Sequence, residues 1–221
     1  NDPSRMSVLL VASKKDIIND YQSVFAEAGL KLVLVDVDAF AVQNAFEINY
    51  NPDPDEIYAL VNIGANMMNL NVVKGGYSLF TRDVQMGSGL YTEGIQKKMG
   101  VSGDEAEKMK VSADINSAPD LLHAIAKVND TLSLEIRRSL DFYNSNALEG
   151  KIAKVMLSGG GCRTLNVVKA VAERLNLPVE VMNPFNQIKC DEKKFEKEFL
   201  TEIAPQMVVA LGLASRRLGD K

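Results

Sequence analysis

At 221 residues the chain fits one large domain or two smaller ones, and 46% hydrophobic against 24% charged residues is the balance of a globular protein with a sizeable core. A formal net charge of −4 gives no electrostatic case for a nucleic-acid surface, and no apolar run approaches the ~20 residues that cross a bilayer as a helix. The two cysteines, Cys162 and Cys190, form no CxxC pair and suggest a reducing setting without a disulfide framework.

The chain opens on Asn-Asp-Pro-Ser, without a methionine, and runs almost directly into a predicted strand at residues 8–12, a start expected of a fragment or processed product. Ser13 is the expected N-cap, with Asp16 in the first turn, of a helix reaching about Ala28 and stopped by Gly29. Residues 32–37 are near-continuously apolar and predict a second buried strand; residues 39–48, with Phe40 and Phe46, predict a short helix. The polar, Pro-rich stretch 49–55 is the expected boundary between a unit at 1–50 and a second at 51–221.

The centre of the chain is residues 59–73, read as strand, Gly-containing tight turn and returning strand. Leu60, Val61 and Ile63 lead in, Gly64 makes the turn, and Leu70, Val72 and Val73 lead out. Such a tip can be an ordinary hairpin, or its successive backbone N–H groups can cradle a phosphate. Lys74, Gly75 and Gly76 turn the chain into a third strand at 77–84, and helices are expected at 90–99 and 104–111. Pro119 opens a long helix whose apolar stripe runs through Ile125, Val128, Leu132, Ile136, Leu140 and Tyr143. A buried strand at 152–157, the run Ser158-Gly159-Gly160-Gly161, a helix at 165–175 and a last strand at 179–182 follow. Two closing helices are predicted, one charged at 191–199 and one apolar at 207–213. The order gives an α/β fold: a mixed sheet with an antiparallel edge and parallel interior, covered by helices.

The glycine run is the strongest local signal. Three glycines between a buried strand and a helix let a flat or phosphorylated ligand approach the backbone closely, although a ligand-free connector has the same look. The spacing is neither GxGxxG nor a P-loop. Glu107 and Lys110 sit at i and i+3 on one helix face, where they could bond ribose hydroxyls and an adenine edge or form a solvated ion pair. His123 is the single histidine and is read as packed or surface-exposed; Cys162 is read as a small buried residue, and Met67, Met68 and Met207 as core fillers.

Together these stations resemble the actin-like ATPase superfamily, with its ribonuclease H-like fold, and within it the PilM family of type IV pilus assembly proteins, which is FtsA-like. Ile63-Gly64-Ala65 resembles the second phosphate loop, Ser158 to Gly161 the adenosine loop, and Ala106-Glu107-x-x-Lys110 the ribose-contacting helix. Asp38-Ala-Phe-Ala stands where that superfamily holds a metal-bound water. Three further stretches resemble the pilus family: Phe80-Thr-Arg-Asp; Ile136-x-Arg138-Ser-Leu-x-Phe-Tyr; and Asn183-Pro-Phe-Asn-Gln with Gly212-Leu-Ala.

The resemblance implies ATP and magnesium as cofactors. Asn62, Gly64, Ala65, Asn66, Glu107, Lys110, Gly159, Gly160 and Gly161 would contact the nucleotide, and Asp38 the metal. It also implies that the first phosphate loop and part of the first lobe lie upstream of Val8. The expected role is a cytoplasmic scaffold, peripheral to the inner membrane, that docks the cytoplasmic tail of PilN and so the pilus inner-membrane platform. Membrane contact would come only through partners, and self-association stays open. One departure bears on turnover: the superfamily's Asp-Ile-Gly is Asn62-Ile63-Gly64 here, and hydroxyl residues are replaced at Asn66, Met68 and Asn69. Nucleotide binding is then expected with weak or absent hydrolysis. An active ATPase or kinase of the fold and a nucleotide-free adaptor are the alternatives.

Overall fold

The computed structural model describes residues 8–146, 149–191 and 193–217. They fall into two compact units, residues 8–36 with Arg217, and Val37–Arg216. Among the described residues of the first unit one helix, α1 (Lys15–Glu27), forms; it starts after Lys14 with no side-chain cap, so Ser13 does not take the expected capping role. Gly29 does stop it, at φ +70° with Leu30 N donating to Phe25 O at 2.8 Å. The strands predicted at 8–12 and 32–37 are not formed. Residues 8–12, Val33 and Val35 stay exposed, Leu10 by 87% and Val33 by 65%, and Leu32, Leu34 and Val37 are half-buried, because an apolar run becomes a strand only beside a neighbour that completes its ladder.

The second unit is built on a five-stranded sheet of order β3-β2-β1-β4-β5. Its strands are β1 (Ile57–Ile63), β2 (Met68–Lys74), β3 (Tyr77–Val84), β4 (Ile152–Ser158) and β5 (Val179–Val181). β1, β2 and β3 form the antiparallel meander; β4 runs parallel to β1 and β5 parallel to β4. One face carries Ala59, Val61, Ile63, Leu70, Val72, Val155 and Leu157 against Tyr91 and Ile95 of α3 (Gly89–Met99), Ala106 of α4 (Gly103–Ser112), the stripe of α5 (Pro119–Asn146) and Val171 of α6 (Val167–Leu175). The other face carries Leu60, Val73 and Met156 against Val42, Ala45 and Phe46 of α2 (Asp38–Tyr50) and Val208 of α7 (Lys197–Ala214). Near-continuous apolar strands are what a sheet covered on both faces requires.

The C-terminal expectation is corrected. Residues 193–195 form a turn, with Lys194 N and Phe195 N both donating to Asp191 O, and one helix, α7, replaces the predicted pair; residue 192 lies outside the described residues. Pro205 sits inside α7, and its carbonyl accepts from Gly159 N at 2.7 Å. The helix runs through Pro205 although proline lacks the N–H that an interior helical ladder uses. α7 and α2 cross so closely at Gly212 that a Cβ there would stand 1.8 Å from Ala41 O. Among the described residues no helix is long and apolar enough to cross a membrane.

Candidate functional site

The β1–β2 hairpin ends in a four-residue tip, Gly64 to Met67, between the paired residues Ile63 and Met68. Gly64 N donates to Met67 O at 2.9 Å, and a Cβ on Gly64 would lie at the same distance from that oxygen. The start of α3 clamps the tip from below: Ser88 N donates to Gly64 O and Gly89 N to Ala65 O, each at 2.8 Å. Ala65, Asn66 and Met67 are exposed, so Met67 is not the core filler it resembled in sequence, whereas Met68 is fully buried.

The glycine run leaves β4 and closes into a 3-10 turn, Gly160–Arg163. Its three glycines do different things. Gly159 takes φ +87°, and a Cβ there would lie 2.4 Å from Ile63 O; at Gly161 it would lie 2.4 Å from Ile63 Cγ2. Both are buried against the end of β1, which explains two glycines by packing alone. Gly160 is exposed, and a Cβ there would meet only Gln206 at an ordinary 3.6 Å. Behind the turn, Cys162 is buried with its thiol donating to Ser158 O at 2.9 Å, and burial pushes that thiol well above its ordinary pKa, so it is inert packing.

α4 enters through a capping box, Ser102 with Glu105. On its inner side the Lys110 ammonium donates to Glu107 Oε2 at 2.7 Å, and Thr92 Oγ1 donates to the same oxygen at 2.6 Å. Partial burial pushes the Glu107 carboxyl up, but these bonds to Lys110 and Thr92 prevail and hold it below the ordinary range. The pair thus presents a fixed carboxylate and a largely covered ammonium.

These elements converge on one cleft of about 240 Å³, lined by Ala65, Ser88, Glu107, Lys110, Val111, Gly160, Arg163, Thr164 and Gln206. Of the residues singled out from sequence, Ala65, Glu107, Lys110 and Gly160 line it; Gly64, Gly159 and Gly161 shape its wall from behind. Asn66 stands at the exposed tip, Asn62 is buried at the end of β1, and Asp38 begins α2 outside the lining. Sequence reasoning missed Ser88, Val111, Arg163, Thr164 and Gln206 as lining residues. The signal for Arg163 and Thr164 was their place directly after the glycines; Gln206 gave none. Arg163 is ion-paired with Glu202 on α7.

Chemically, the cleft offers two cations, Lys110 and Arg163, and the Glu107 carboxylate beside an apolar Val111, a set that suits a polar ligand with a flat apolar part. Among the described residues no three His, Cys, Asp or Glu side chains gather to hold a metal. A hard cation would therefore rest on phosphate oxygens with one or two carboxylates, the usual manner of magnesium, and Asp38 is an oxygen donor of that kind. Asp38's carboxyl is pushed above its ordinary range, first by burial and then by the charge of Asp83.

Residues 1–218 match the family described as "Type IV pilus assembly protein PilM". Among solved structures, the chain is similar to a protein of a PilM–PilN type IV pilus biogenesis complex, at 28% identity and a TM-score of 0.84. The match covers 93% of this chain and 59% of that one, so the chain spans under two thirds of that protein's length. It shares its fold with the ethanolamine utilization protein EutJ from Carboxydothermus hydrogenoformans (19% identity, TM-score 0.67, 92% and 61% of the two chains). It shares it too with MreB 5 of Spiroplasma citri, solved bound to AMPPNP (12% identity, TM-score 0.60, 91% and 65%). The fold is actin-like, and the chain belongs to the PilM family of type IV pilus assembly proteins.

Proposed function

We propose that the chain is the nucleotide-holding part of an actin-like scaffold for type IV pilus assembly, with residues 1–50 the remainder of a first lobe and residues 51–221 the second. It binds ATP with magnesium in the cleft under the glycine turn and docks the cytoplasmic tail of a PilN-type partner. It works in the cytoplasm, at the inner membrane only through that partner. The observation that carries this reading is the convergence of Ala65, Gly160 and the Glu107–Lys110 pair, from three distant stretches of chain, on a single cleft. A hairpin tip suits the phosphates, an exposed glycine the flat face of a nucleoside, and a fixed Glu–Lys pair the ribose hydroxyls. Support for the partner comes from family membership and from the PilM–PilN complex that the fold resembles.

The chain's own residues bind and orient the nucleotide. Magnesium, held by Asp38 and the phosphates, would supply charge neutralisation. Among the described residues the carboxylate that lines the cleft, Glu107, is engaged by Lys110 and Thr92, which fits a scaffold that senses nucleotide more than it turns it over. A nucleotide-free adaptor is favoured by one observation, the absence of a carboxylate at Asn62. Calorimetric titration of magnesium-ATP into the full-length protein separates the two, with Lys110→Ala alongside. Binding that weakens at least about tenfold in the variant, the scale of a lost charge-assisted hydrogen bond, supports the nucleotide scaffold; no binding by a folded protein overturns it in favour of the adaptor.

A further inference from the structure

The side chains that line the cleft divide by whether their polar atoms are already engaged inside the protein. Glu107 is held by Lys110 and Thr92, Lys110 by Glu107, and Arg163 by Glu202 of α7. Ala65, Val111 and Gly160 bring no polar side-chain atom. What remains is neutral: the hydroxyls of Ser88 and Thr164 and the amide of Gln206, none of which makes a hydrogen bond among the described residues.

These groups differ in what they can tell one ligand from another. A hydroxyl rotates to donate or to accept, so Ser88 and Thr164 suit a polar atom of either kind. A carboxamide holds a donor and an acceptor side by side in one plane, and it is matched only by a ligand edge with an acceptor next to a donor. Gln206 is therefore the discriminating group of the lining.

α7 fixes where that amide stands. Gly159 N donates to Pro205 O at 2.7 Å, and Glu202, one turn before Gln206 on the same helix face, ties Arg163 to the helix. The glycine turn is thus fastened to α7 on both sides of Gly160. Gln206 lies between the two fastenings and against Gly160 itself. A Cβ built on that glycine would stand 3.6 Å from Gln206 Cγ and 3.8 Å from its Cδ and Nε2. The side chain is exposed, whereas Ala204, Pro205 and Val208 beside it are buried. An amide alongside the open backbone of Gly160 reaches the rim of a flat ring that rests on that backbone.

We propose, resting on the nucleotide reading above, that Gln206 is the residue that selects the base, and that it selects adenine over guanine by reading the substituent at C6. Adenine carries an amino group there, with a ring-nitrogen acceptor on either side, N1 and N7. The Gln206 oxygen accepts from the amino group and its nitrogen donates to N1 or N7, so two bonds form whichever edge of the ring faces α7. Guanine carries an oxygen at C6. Its N7 edge shows two acceptors and leaves the Gln206 oxygen against a lone pair; its N1 edge alone offers a matching pair.

The full-length protein in magnesium is titrated calorimetrically with ATP and with GTP, as wild type and as Gln206→Ala, Gln206→Glu and Gln206→Lys. Position 206 is exposed, so the variants should keep the wild-type urea midpoint. The readout is the ratio of the two affinities. Both nucleotides carry the same triphosphate, so a charge at 206 that acts only on phosphates moves both affinities together and leaves the ratio alone. Wild type should prefer ATP about fivefold or more, the low end for one good amide–base pair. Gln206→Ala should bring the ratio close to one, through weaker ATP binding. Gln206→Glu keeps an acceptor for the amino group and should hold or raise the preference for ATP, whereas Gln206→Lys offers donors alone and should reverse it. A wild type that binds ATP and GTP alike, a ratio unchanged in Gln206→Ala, or Glu and Lys variants that shift it the same way overturns selection by Gln206 and leaves the nucleotide reading standing. Binding of neither nucleotide by the folded wild type overturns both.

Discussion

Single alanine substitutions along Gly159-Gly160-Gly161 should have sharply unequal effects. At Gly161 the added Cβ would lie 2.4 Å from Ile63 Cγ2, 2.9 Å from its Cβ and 3.0 Å from its carbonyl oxygen. Carbon atoms rest at about 3.5–4.0 Å, so Ile63 or the turn must retreat by roughly an ångström, and Ile63 is a fully buried residue at the end of a central strand. Overpacking of that size costs about 1–3 kcal/mol. Gly159 adds to a 2.4 Å contact with Ile63 O a φ of +87°, which costs a residue with a side chain about 1–2 kcal/mol more. At Gly160 neither cost arises, and the change should stay within about 0.5 kcal/mol. The assay is urea unfolding followed by circular dichroism. With a slope of about 1–3 kcal/mol per molar, the midpoint should fall by roughly 1 M for Gly161→Ala, further for Gly159→Ala, and barely for Gly160→Ala. Gly160→Val, which keeps the fold and fills the cleft wall, should abolish ATP binding. Equal losses at all three positions, or a neutral Gly161→Ala, would refute the division between packing glycines and a ligand-facing one.

Gly212→Ala should be among the most damaging single-methyl changes, since its Cβ would enter the Ala41 carbonyl at 1.8 Å. Separating α2 from α7 to relieve it costs about 1–3 kcal/mol or more, readable as a lowered denaturation midpoint. Tyr91→Phe removes a buried bond of 2.6 Å to Asn129 Oδ1, whose amide in turn holds Leu165 O at 3.0 Å before α6; a loss of about 1–3 kcal/mol in urea titration is expected, without change in nucleotide affinity. Asp38→Asn should act in opposite directions on stability and binding. The folded carboxyl is raised above its ordinary 3.8, so in the window just above that value the native state holds more protons than the unfolded one, and stability falls as pH rises through it. The variant should abolish that fall, gaining stability at neutral pH while losing magnesium-dependent affinity; a pH–stability profile identical to wild type would count against the pairing with Asp83.

Sequence by itself determined the meander, the parallel β4, the long α5 and the positions of the turns. Those depend on local pattern: near-continuous apolar runs bounded by glycines, the stripe through Leu132, Ile136 and Leu140, and Pro119 at a helix start. It also supplied the family, through the order of several short motifs, and four of the residues that meet in the cleft. Tertiary structure decided the rest, because those features depend on what each segment finds beside it. Residues 8–12 and 32–37 have strand sequences but no ladder partner, so no strand forms. α7 runs through Pro205, whose carbonyl serves Gly159, a residue 46 positions away. Three adjacent glycines look alike in sequence; only the approach of Ile63 separates the two that the packing needs from the one that faces the cleft.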